Sequence, residues 1–504
     1  MRSFRSPIII AGAAVAAGSA AAFFYAQAGL TLSHFDARAH LVVARRILDS
    51  LTPGWQQIGA VWLPLPHLLN MVPVQVDAWY RSGASGVALS VASTGIAAWA
   101  MARLILISTG SIAGGATAAA LFIANPNLAY IQSTPMTEPL LFATAFLSLA
   151  LLGSWIEHGA NGSTTGASAA LAALCMTRYE GWVITCAAIA LTAGILLRRG
   201  EPLSRAVRVS LQLGALPIIA IVVFTLNSRW TIGYWFIPRD FFVPENKALG
   251  EPWLAWEQVR ESVQRLSNNP LVWGGYAGAV AIVFGFFASG RRALLALLLS
   301  IAAAGVLPWY AYLQGHPVRV RYGLPLVAAC AALSGAAVAL LWKPMRWIAG
   351  AVLVVLVTWQ TSPFDRQAVL VVESQRDAPN VEARRAITRY LLDHYRGDTP
   401  IMISMGSLAH YMQELGRAGF DIHSILHEGN GEAWRYAVLG PKGYVNWVVV
   451  EETAEGGDAL YQAFKRDANY LHGFQRVAEG GGAALYRRSG EQERLTGDQE
   501  FRSY

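Results

Sequence analysis

The chain has 504 residues, of which 54% are hydrophobic and only 14% charged, and its formal net charge is +7. Seventeen tryptophans and a positive mean hydropathy are far from the averages of soluble globular domains. This composition excludes an ordinary soluble enzyme and indicates a polytopic membrane protein without a nucleic-acid partner.

Apolar runs of roughly 17 to 25 residues, the length that a helix needs to cross the hydrocarbon, occur about eleven times between Pro7 and Thr361. Positively charged loops stay in the cytoplasm, so Lys and Arg orient these spans. With the N-terminus inside, every second loop is basic; these loops carry Arg103, Arg198, Arg199, Arg205, Arg208, Arg291, Arg292, Lys343 and Arg346. The prediction is a cytoplasmic (inner) membrane protein whose unusual residues all face the extracytoplasmic side.

The N-terminal stretch has a second interpretation. MRSFRSP, an apolar run and the AQA at Ala26–Ala28 also resemble a cleavable signal peptide. The run is longer than a usual signal sequence, which favours a membrane span. Under either interpretation the loop that follows is exported.

The composition changes near Pro363, where long apolar runs stop and segments of ordinary globular polarity begin. VEARRAITRYLLDHY has a helical period, IMISMGS is typical of a buried strand, and HYMQELGRAG is a helix that ends at a glycine. NWVVVEE and GAALYRR are further strands. We therefore predict two domains, a transmembrane domain at 1–361 and an extracytoplasmic soluble α/β domain at 362–504.

The first exported loop places a carboxylate, Asp36, at the mouth of a membrane span, where charges are seldom retained without a role. Arg38, His40, Arg45 and Arg46 follow on a segment predicted as an amphipathic helix at the membrane interface. These arginines either contact lipid phosphates or take part in the site. Asp36 is a candidate catalytic residue because an anion gains nothing near an anionic membrane surface.

Two further segments predicted to be exported carry charged residues next to apolar runs. Glu138 begins a span, so it is either a helix N-terminal acid stabilised by the dipole or part of the site. Arg178, Tyr179 and Glu180 interrupt two short apolar runs. They form either an ion pair that shapes a tight turn or a substrate contact.

A basic cluster precedes a late span and contains His316, Arg319, Arg321 and Tyr322. Arginine forks suit a phosphate or pyrophosphate group, which makes phosphate binding the preferred role of this cluster. Arg239 lies in another exported loop, among aromatic residues that are typical of a membrane-interface belt.

The motif HFDA-x-x-H is followed by WLPLPHLL, which begins at Trp62, then by a TEP motif, the turn TRYEGW and a late RY-x-x-P. In this order the motifs resemble the GT-C class of integral-membrane glycosyltransferases, which includes protein O-mannosyltransferases and lipid A aminoarabinose transferases. The resemblance covers the membrane region to about Thr361. It implies a GT-C fold of about 11 transmembrane helices.

The resemblance also implies an activity: an inverting enzyme that moves a sugar from a polyprenyl-phosphate carrier to an acceptor on the extracytoplasmic face. Asp36 would be the base that deprotonates the acceptor, with Glu138 beside it. The donor phosphate would be bound by His316, Arg319, Arg321, Tyr322, Arg178, Tyr179, Glu180 and Arg239. Arg38, His40 and Trp62 are candidates for the interface or the acceptor.

Several alternatives stay open. The acceptor can be a protein, a glycolipid or a polysaccharide, and a lipid-linked sugar flippase or transporter without glycosyl transfer is the competing function. Asp36 is followed by Ala37 where many relatives have a second acid, so a mechanism that requires an adjacent acidic pair is in doubt. Asp36 and Glu138 can alternatively hold a divalent cation; the lack of a DxD pair favours no metal and no cofactor.

Overall fold

A computed structural model describes residues 2–160, 162–236, 244–454 and 457–489, and for residues 2–5 it describes the backbone alone. Contacts divide the chain into two compact units. The first contains Met1–His40 and Ala60–Gln375, and the second contains Leu41–Gly59 and Arg376–Tyr504. The predicted domain boundary at 361 and 362 stays a prediction; the compact units change between Gln375 and Arg376.

The first unit is helical. Seventeen α-helices belong to it, as far as the described residues extend, and one of them, α2, continues into the second unit. They are α1 Arg2–Gln27, α2 Phe35–Arg45, α3 Leu65–Asn70, α4 Asp77–Ser82, α5 Ala84–Thr109, α6 Ile112–Ala124, α7 Pro126–Ile131, α8 Glu138–Glu157, α9 Thr165–Cys175, α10 Glu180–Arg198, α11 Leu203–Ile232, α12 Pro252–Leu266, α13 Asn269–Ala288, α14 Val306–Leu313, α15 Leu324–Leu340, α16 Met345–Gln360 and α17 Val369–Ser374. Short 3₁₀ segments lie at Pro73–Gln75 and Val320–Gly323, and a longer one, Arg292–Gly305, leads into α14.

Eight helical segments of the described chain are long and apolar enough to cross a membrane, and three shorter apolar helices accompany them. With the shorter helices included, this number is roughly consistent with the prediction of about eleven membrane spans. Arg103, predicted in a loop, instead lies within α5. Small residues let these helices approach closely: a Cβ atom at Gly278 would lie 2.0 Å from the carbonyl oxygen of Leu333, so α13 packs directly against the backbone of α15.

The second unit is an α/β fold. Its strands are β1 Ile401–Ile403, β2 Ile425–Leu426, β3 Trp447–Glu451, β4 Phe474–Gly480 and β5 Ala483–Arg488, and its helices are α18 Ala378–His394, α19 Met405–Ala418, α20 Glu432–Ala437 and α21 Ala459–Arg466. The sheet order is β2-β1-β3-β5-β4, with β1 parallel to β2 and β3, and β5 antiparallel to β3 and β4. The predicted strands and helices occur, except that the strand predicted over IMISMGS ends at Ile403 and its last three residues begin α19. Helix α19 is capped by Gly419 in the left-handed conformation that suits glycine.

Residues 41–59, from the loop after α1, fold as part of the second unit. Asn430 donates from Nδ2 to the hydroxyls of Ser50 (3.0 Å) and Thr52 (3.1 Å). Gln57, which is fully buried, donates to the carbonyl of Gly429 at 2.8 Å. These hydrogen bonds join buried polar side chains of residues 41–59 to Gly429 and Asn430, which lie far away in the sequence.

Helix α2 forms where the sequence predicts a helix, but it is not an exposed interfacial helix. Arg38, His40, Arg45 and Arg46 are each at most 6% exposed. The prediction of an amphipathic surface helix is therefore wrong: the charged face of α2 is enclosed by protein, where side chains need partners that a lipid surface would otherwise supply.

Candidate active site

Asp36 lies in the first turn of α2 and is 6% exposed. Its carboxylate forms an ion pair with Arg321, which comes from the 3₁₀ turn Val320–Gly323 before α15. The backbone N–H of Asp36 donates to Nδ1 of His34 at 3.1 Å. Nη1 of Arg321 lies 3.5 Å from Nε2 of His34. The loop after α1 and the late basic cluster therefore meet at one point.

Electrostatics keep this carboxylate ionised. Burial alone would raise the pKa of Asp36, but the Arg321 guanidinium, followed by His34 and His40, outweighs burial and holds that pKa well below its usual range. A buried anion of this kind is retained because it is paired. At neutral pH Asp36 is a carboxylate able to accept a proton or a hydrogen bond.

His40, which acts electrostatically on Asp36, lies against a second histidine and a tryptophan. Nδ1 of His40 is 3.1 Å from Nε2 of His67, and the His40 and Trp62 rings have centroids 4.2 Å apart. Burial lowers the pKa of His40 to about 3, against the opposing effect of Asp36. His40 is therefore neutral at pH 7 and adds no positive charge to the site.

Glu138 and Glu180 share one cation. Nη1 of Arg178 lies 3.1 Å from Oε1 of Glu138, and Nη2 lies 2.8 Å from Oε1 of Glu180. Nη1 also donates to the hydroxyl of Thr137 at 3.0 Å. The two acids begin α8 and α10, where the helix dipole favours negative charge. The charges sum to −1, and Glu138 is close enough to act on the pKa of His34.

The TRYEGW turn and the residue before it also bind the segment around Trp62. The hydroxyl of Tyr179 donates to the carbonyl of Val61 at 3.0 Å, and the N–H of Leu65 donates to the carbonyl of Met176 at 2.9 Å. These bonds flank Trp62. Tyr179 therefore fixes the backbone beside the tryptophan.

In the late loop, Tyr312 anchors the backbone by donating from its hydroxyl to the carbonyl of Arg319 at 2.9 Å. His316 and Tyr322 have ring centroids 5.8 Å apart, and the guanidinium of Arg321 lies 5.8 Å from the Tyr322 ring centroid. Arg321 thus connects this cluster to Asp36. Arg239 lies outside the described residues.

Sequence reasoning missed three members of the site: His34, His67 and Thr137. Each stands within a motif that the sequence singles out, at HFDA, WLPLPHLL and STPMTEP. Their contacts depend on Arg321, His40 and Arg178, which come from other segments. Only proximity to a motif residue could have indicated them.

Both candidate carboxylates of a metal site, Asp36 and Glu138, are paired with arginines. Elsewhere, one ligand atom each of Asp377, His410 and Glu414 lies within 4.8 Å of the others. Arg384 occupies that cluster, since its Nη2 lies 2.8 Å from Asp377 and 2.9 Å from Glu414. The cluster is therefore an arginine–carboxylate structure, and metal independence of the site stays a prediction.

No protein-family model and no curated protein matches this sequence. Solved structures that are similar in fold include ArnT from Cupriavidus metallidurans bound to undecaprenyl phosphate (TM-score 0.52, 13% identity) and the same protein in the apo state (TM-score 0.53, 12% identity). Each match covers 94% of this chain, and 98% and 96% of the respective ArnT chains.

The chain has the GT-C membrane-protein fold that ArnT has, and its helices include eight that are long and apolar enough to cross a membrane. The resemblance to the GT-C class that the motifs predict is thereby confirmed at the level of the fold. The predicted fold class is confirmed as well, since the structure has many apolar helices and a small C-terminal sheet.

Proposed function

We propose that the protein transfers a sugar from a polyprenyl-phosphate carrier to an acceptor on the extracytoplasmic face of the cytoplasmic membrane, with inversion at the anomeric carbon. One observation carries this proposal: a buried, ionised carboxylate, Asp36, lies directly against an arginine fork, Arg321. A base for the acceptor and a cation for a phosphate are the two groups that a single displacement at a lipid-phosphate-linked sugar needs.

The comparison supports the choice of donor. A structure of ArnT with bound undecaprenyl phosphate shares its fold with this chain over 94% of the length. The low identity leaves the residues to be argued from their own chemistry. Here that chemistry is Arg321, together with Arg319, His316 and Tyr322 in the same loop, which suits a phosphate headgroup.

In the reaction, Asp36 accepts the proton of the acceptor hydroxyl or amine as the acceptor atom attacks the anomeric carbon. The bond between that carbon and the phosphate oxygen breaks, and its electron pair stays on the oxygen. Arg321 stabilises the charge that develops there. No enzyme nucleophile is required, in keeping with inversion.

The ion pair explains how a weakly basic carboxylate becomes a base. In the structure Arg321 keeps the pKa of Asp36 low, so the carboxylate attracts protons weakly. A donor phosphate that shares the guanidinium brings negative charge beside Asp36 and raises its pKa. Donor binding therefore activates the base, and a free acceptor cannot be deprotonated productively without the donor.

Glu138 acts from a distance in this proposal. Its carboxylate is held by Arg178, which also holds Glu180, so the triad contributes a fixed negative field beside the site. This negative charge repels a second anion, such as a phosphate, except at Arg321, whose positive charge offsets the repulsion. The acceptor contacts we propose are Arg38, His40 and Trp62, whose chemistry fits a protein, a glycolipid or a polysaccharide equally.

The test is turnover of radiolabelled polyprenyl-phosphate sugars in proteoliposomes, with hexose, pentose and aminosugar donors and a crude envelope fraction as acceptor. The proposal expects label in the acceptor and an equal amount of free polyprenyl phosphate. A flippase would instead move the label across the bilayer with the phosphate–sugar bond intact. Transport without bond cleavage for every donor would contradict the proposal.

A further inference from the structure

The imidazole of His34 lies between two groups that both present N–H. The backbone N–H of Asp36 is 3.1 Å from Nδ1, and Nη1 of Arg321 is 3.5 Å from Nε2. A neutral imidazole has one acceptor nitrogen, and an imidazolium has none. At most one of the two contacts can therefore be a hydrogen bond.

The shorter contact decides the tautomer. At 3.1 Å the Asp36 N–H is within the normal range for a hydrogen bond, and 3.5 Å is beyond it. Burial, followed by the Arg321 charge, lowers the pKa of His34 to about 4, so the ring is neutral at pH 7. Nδ1 is then the acceptor, and Nε2 carries the proton and faces the guanidinium N–H. Two buried donors that face each other lack the acceptor that both require.

We propose that the Nε2–H of His34 and the Nη1–H of Arg321 together bind one oxygen of a phosphate anion, the headgroup of a prenyl phosphate. This inference rests on the proposed function and names a further residue for it. One oxygen can accept from both nitrogens, since they lie 3.5 Å apart. Arg321 keeps its other nitrogen, Nη2, on Asp36.

An anionic phosphate fits the position between His34 and Arg321 better than a neutral ligand does. The guanidinium already shares its charge with Asp36, and hydrogen bonds to an anion are the strong ones. The neutral imidazole of His34 donates a hydrogen bond without adding positive charge to the site. The phosphate that is released after transfer is therefore not retained by a further cation. During transfer His34 keeps its proton and only donates, while the proton of the acceptor goes to Asp36.

Side chains of matched shape separate this role from simple packing. The amide nitrogen of glutamine can reach the position of Nε2, whereas that of asparagine reaches only the position of Nδ1. His34→Gln therefore retains a donor towards the phosphate and His34→Asn does not. His158→Gln is the control, because His158 is exposed and bonds only within its own helix turn, to Ser154.

The experiment measures dissociation constants of the purified full-length protein in detergent for farnesyl phosphate, farnesol and inorganic phosphate. We expect native protein, His34→Gln and His158→Gln to bind farnesyl phosphate alike, and His34→Asn to bind it at least tenfold more weakly, which is about 1.4 kcal/mol. The same ranking with inorganic phosphate would identify the phosphate as the recognised group, and binding of farnesyl phosphate alone would identify a lipid-borne headgroup as the ligand.

Equal affinity of His34→Asn and native protein would overturn the inference and leave the proposed function standing. Equal weakening by His34→Gln and His34→Asn would also overturn it, because His34 would then serve packing alone. If the native protein bound farnesol as tightly as farnesyl phosphate, both the inference and the proposed donor would be contradicted.

Discussion

Arg321 forms an ion pair with Asp36, and this contact joins the loop after α1 to a turn that lies almost three hundred residues later in the chain. Both side chains are largely enclosed, so the pair is not a surface salt bridge of small energy. Its fork geometry places one nitrogen towards the base and another towards His34. The arrangement is suited to a ligand that competes for the same arginine.

Replacing Arg321 by lysine tests the fork. Lysine keeps the charge but is a point donor that cannot contact Asp36 and a phosphate oxygen in the same planar geometry. We expect kcat/KM for sugar transfer to fall roughly 10- to 100-fold, corresponding to hydrogen bonds to charged groups of about 1.5–3 kcal/mol. Arg81→Lys is the control, since Arg81 forms only an exposed pair with Asp77. Unchanged transfer by Arg321→Lys would show that charge alone suffices.

Arg178 is predicted to be essential for stability. Its removal in Arg178→Met leaves Glu138 and Glu180 as two buried carboxylates without their cation. Breaking a buried ion pair costs about 3–5 kcal/mol. Thermal unfolding in detergent should show a clearly lowered midpoint, and adding Glu138→Gln and Glu180→Gln should restore much of it. A midpoint that stays at the native value in Arg178→Met would argue against a structural triad.

Acid should destabilise the protein through His34. Its folded pKa of about 4 lies below the ordinary value of 6.5, so between these values the unfolded chain binds a proton that the folded chain does not. This contribution to the free energy of unfolding is complete above about pH 6.5 and decreases by about 1.4 kcal/mol for each pH unit towards 4.

The measurement is the drop in unfolding midpoint between pH 7 and pH 5, compared in native protein and His34→Gln. Glutamine does not titrate, so the variant should show the smaller drop. Asp458 acts in the opposite direction, because burial raises its pKa to about 6, but it is common to both proteins. Equal drops would mean that His34 does not titrate as described.

The interlock between residues 41–59 and the α/β unit should depend on Asn430. Asn430→Ala removes the donor to Ser50 and Thr52 and leaves the buried backbone N–H of His427 without its acceptor, at a cost of about 1–3 kcal/mol. Faster hydrogen exchange at residues 41–59 is the expected readout. Asn469→Ala, at an exposed position, should leave exchange unchanged. Identical exchange in both variants would contradict this account of the segment.

The fold could be predicted largely from sequence, because apolar length and charge placement are local properties. The helix over HFDARAH and the strand in NWVVVEE follow from such patterns, and both occur. The burial of α2 within the protein could not be predicted, because the sequence of a basic amphipathic helix is equally typical of a helix at the membrane interface. The membership of residues 41–59 in the α/β unit depends on side-chain contacts with Gly429 and Asn430, which no periodicity reveals.

The site was predictable as a set of loops but not as a set of pairs. Asp36 and Arg321 both stood out as charges beside membrane spans, yet their pairing appears only in three dimensions. Glu138 was expected beside Asp36, and the structure gives it Arg178 as its immediate partner. The proposed roles of these residues remain predictions.

The most direct test of the account compares Asp36→Asn with Asp77→Asn in sugar transfer from a polyprenyl-phosphate donor. Asparagine keeps the shape of Asp36 but cannot take up the proton, so transfer and release of the lipid phosphate should fall roughly 100- to 10,000-fold. Asp77→Asn should behave as native, because Asp77 is exposed. Binding of farnesyl phosphate by Asp36→Asn would establish that the variant is folded. Transfer at the native rate by Asp36→Asn would contradict the assignment of Asp36 as the base.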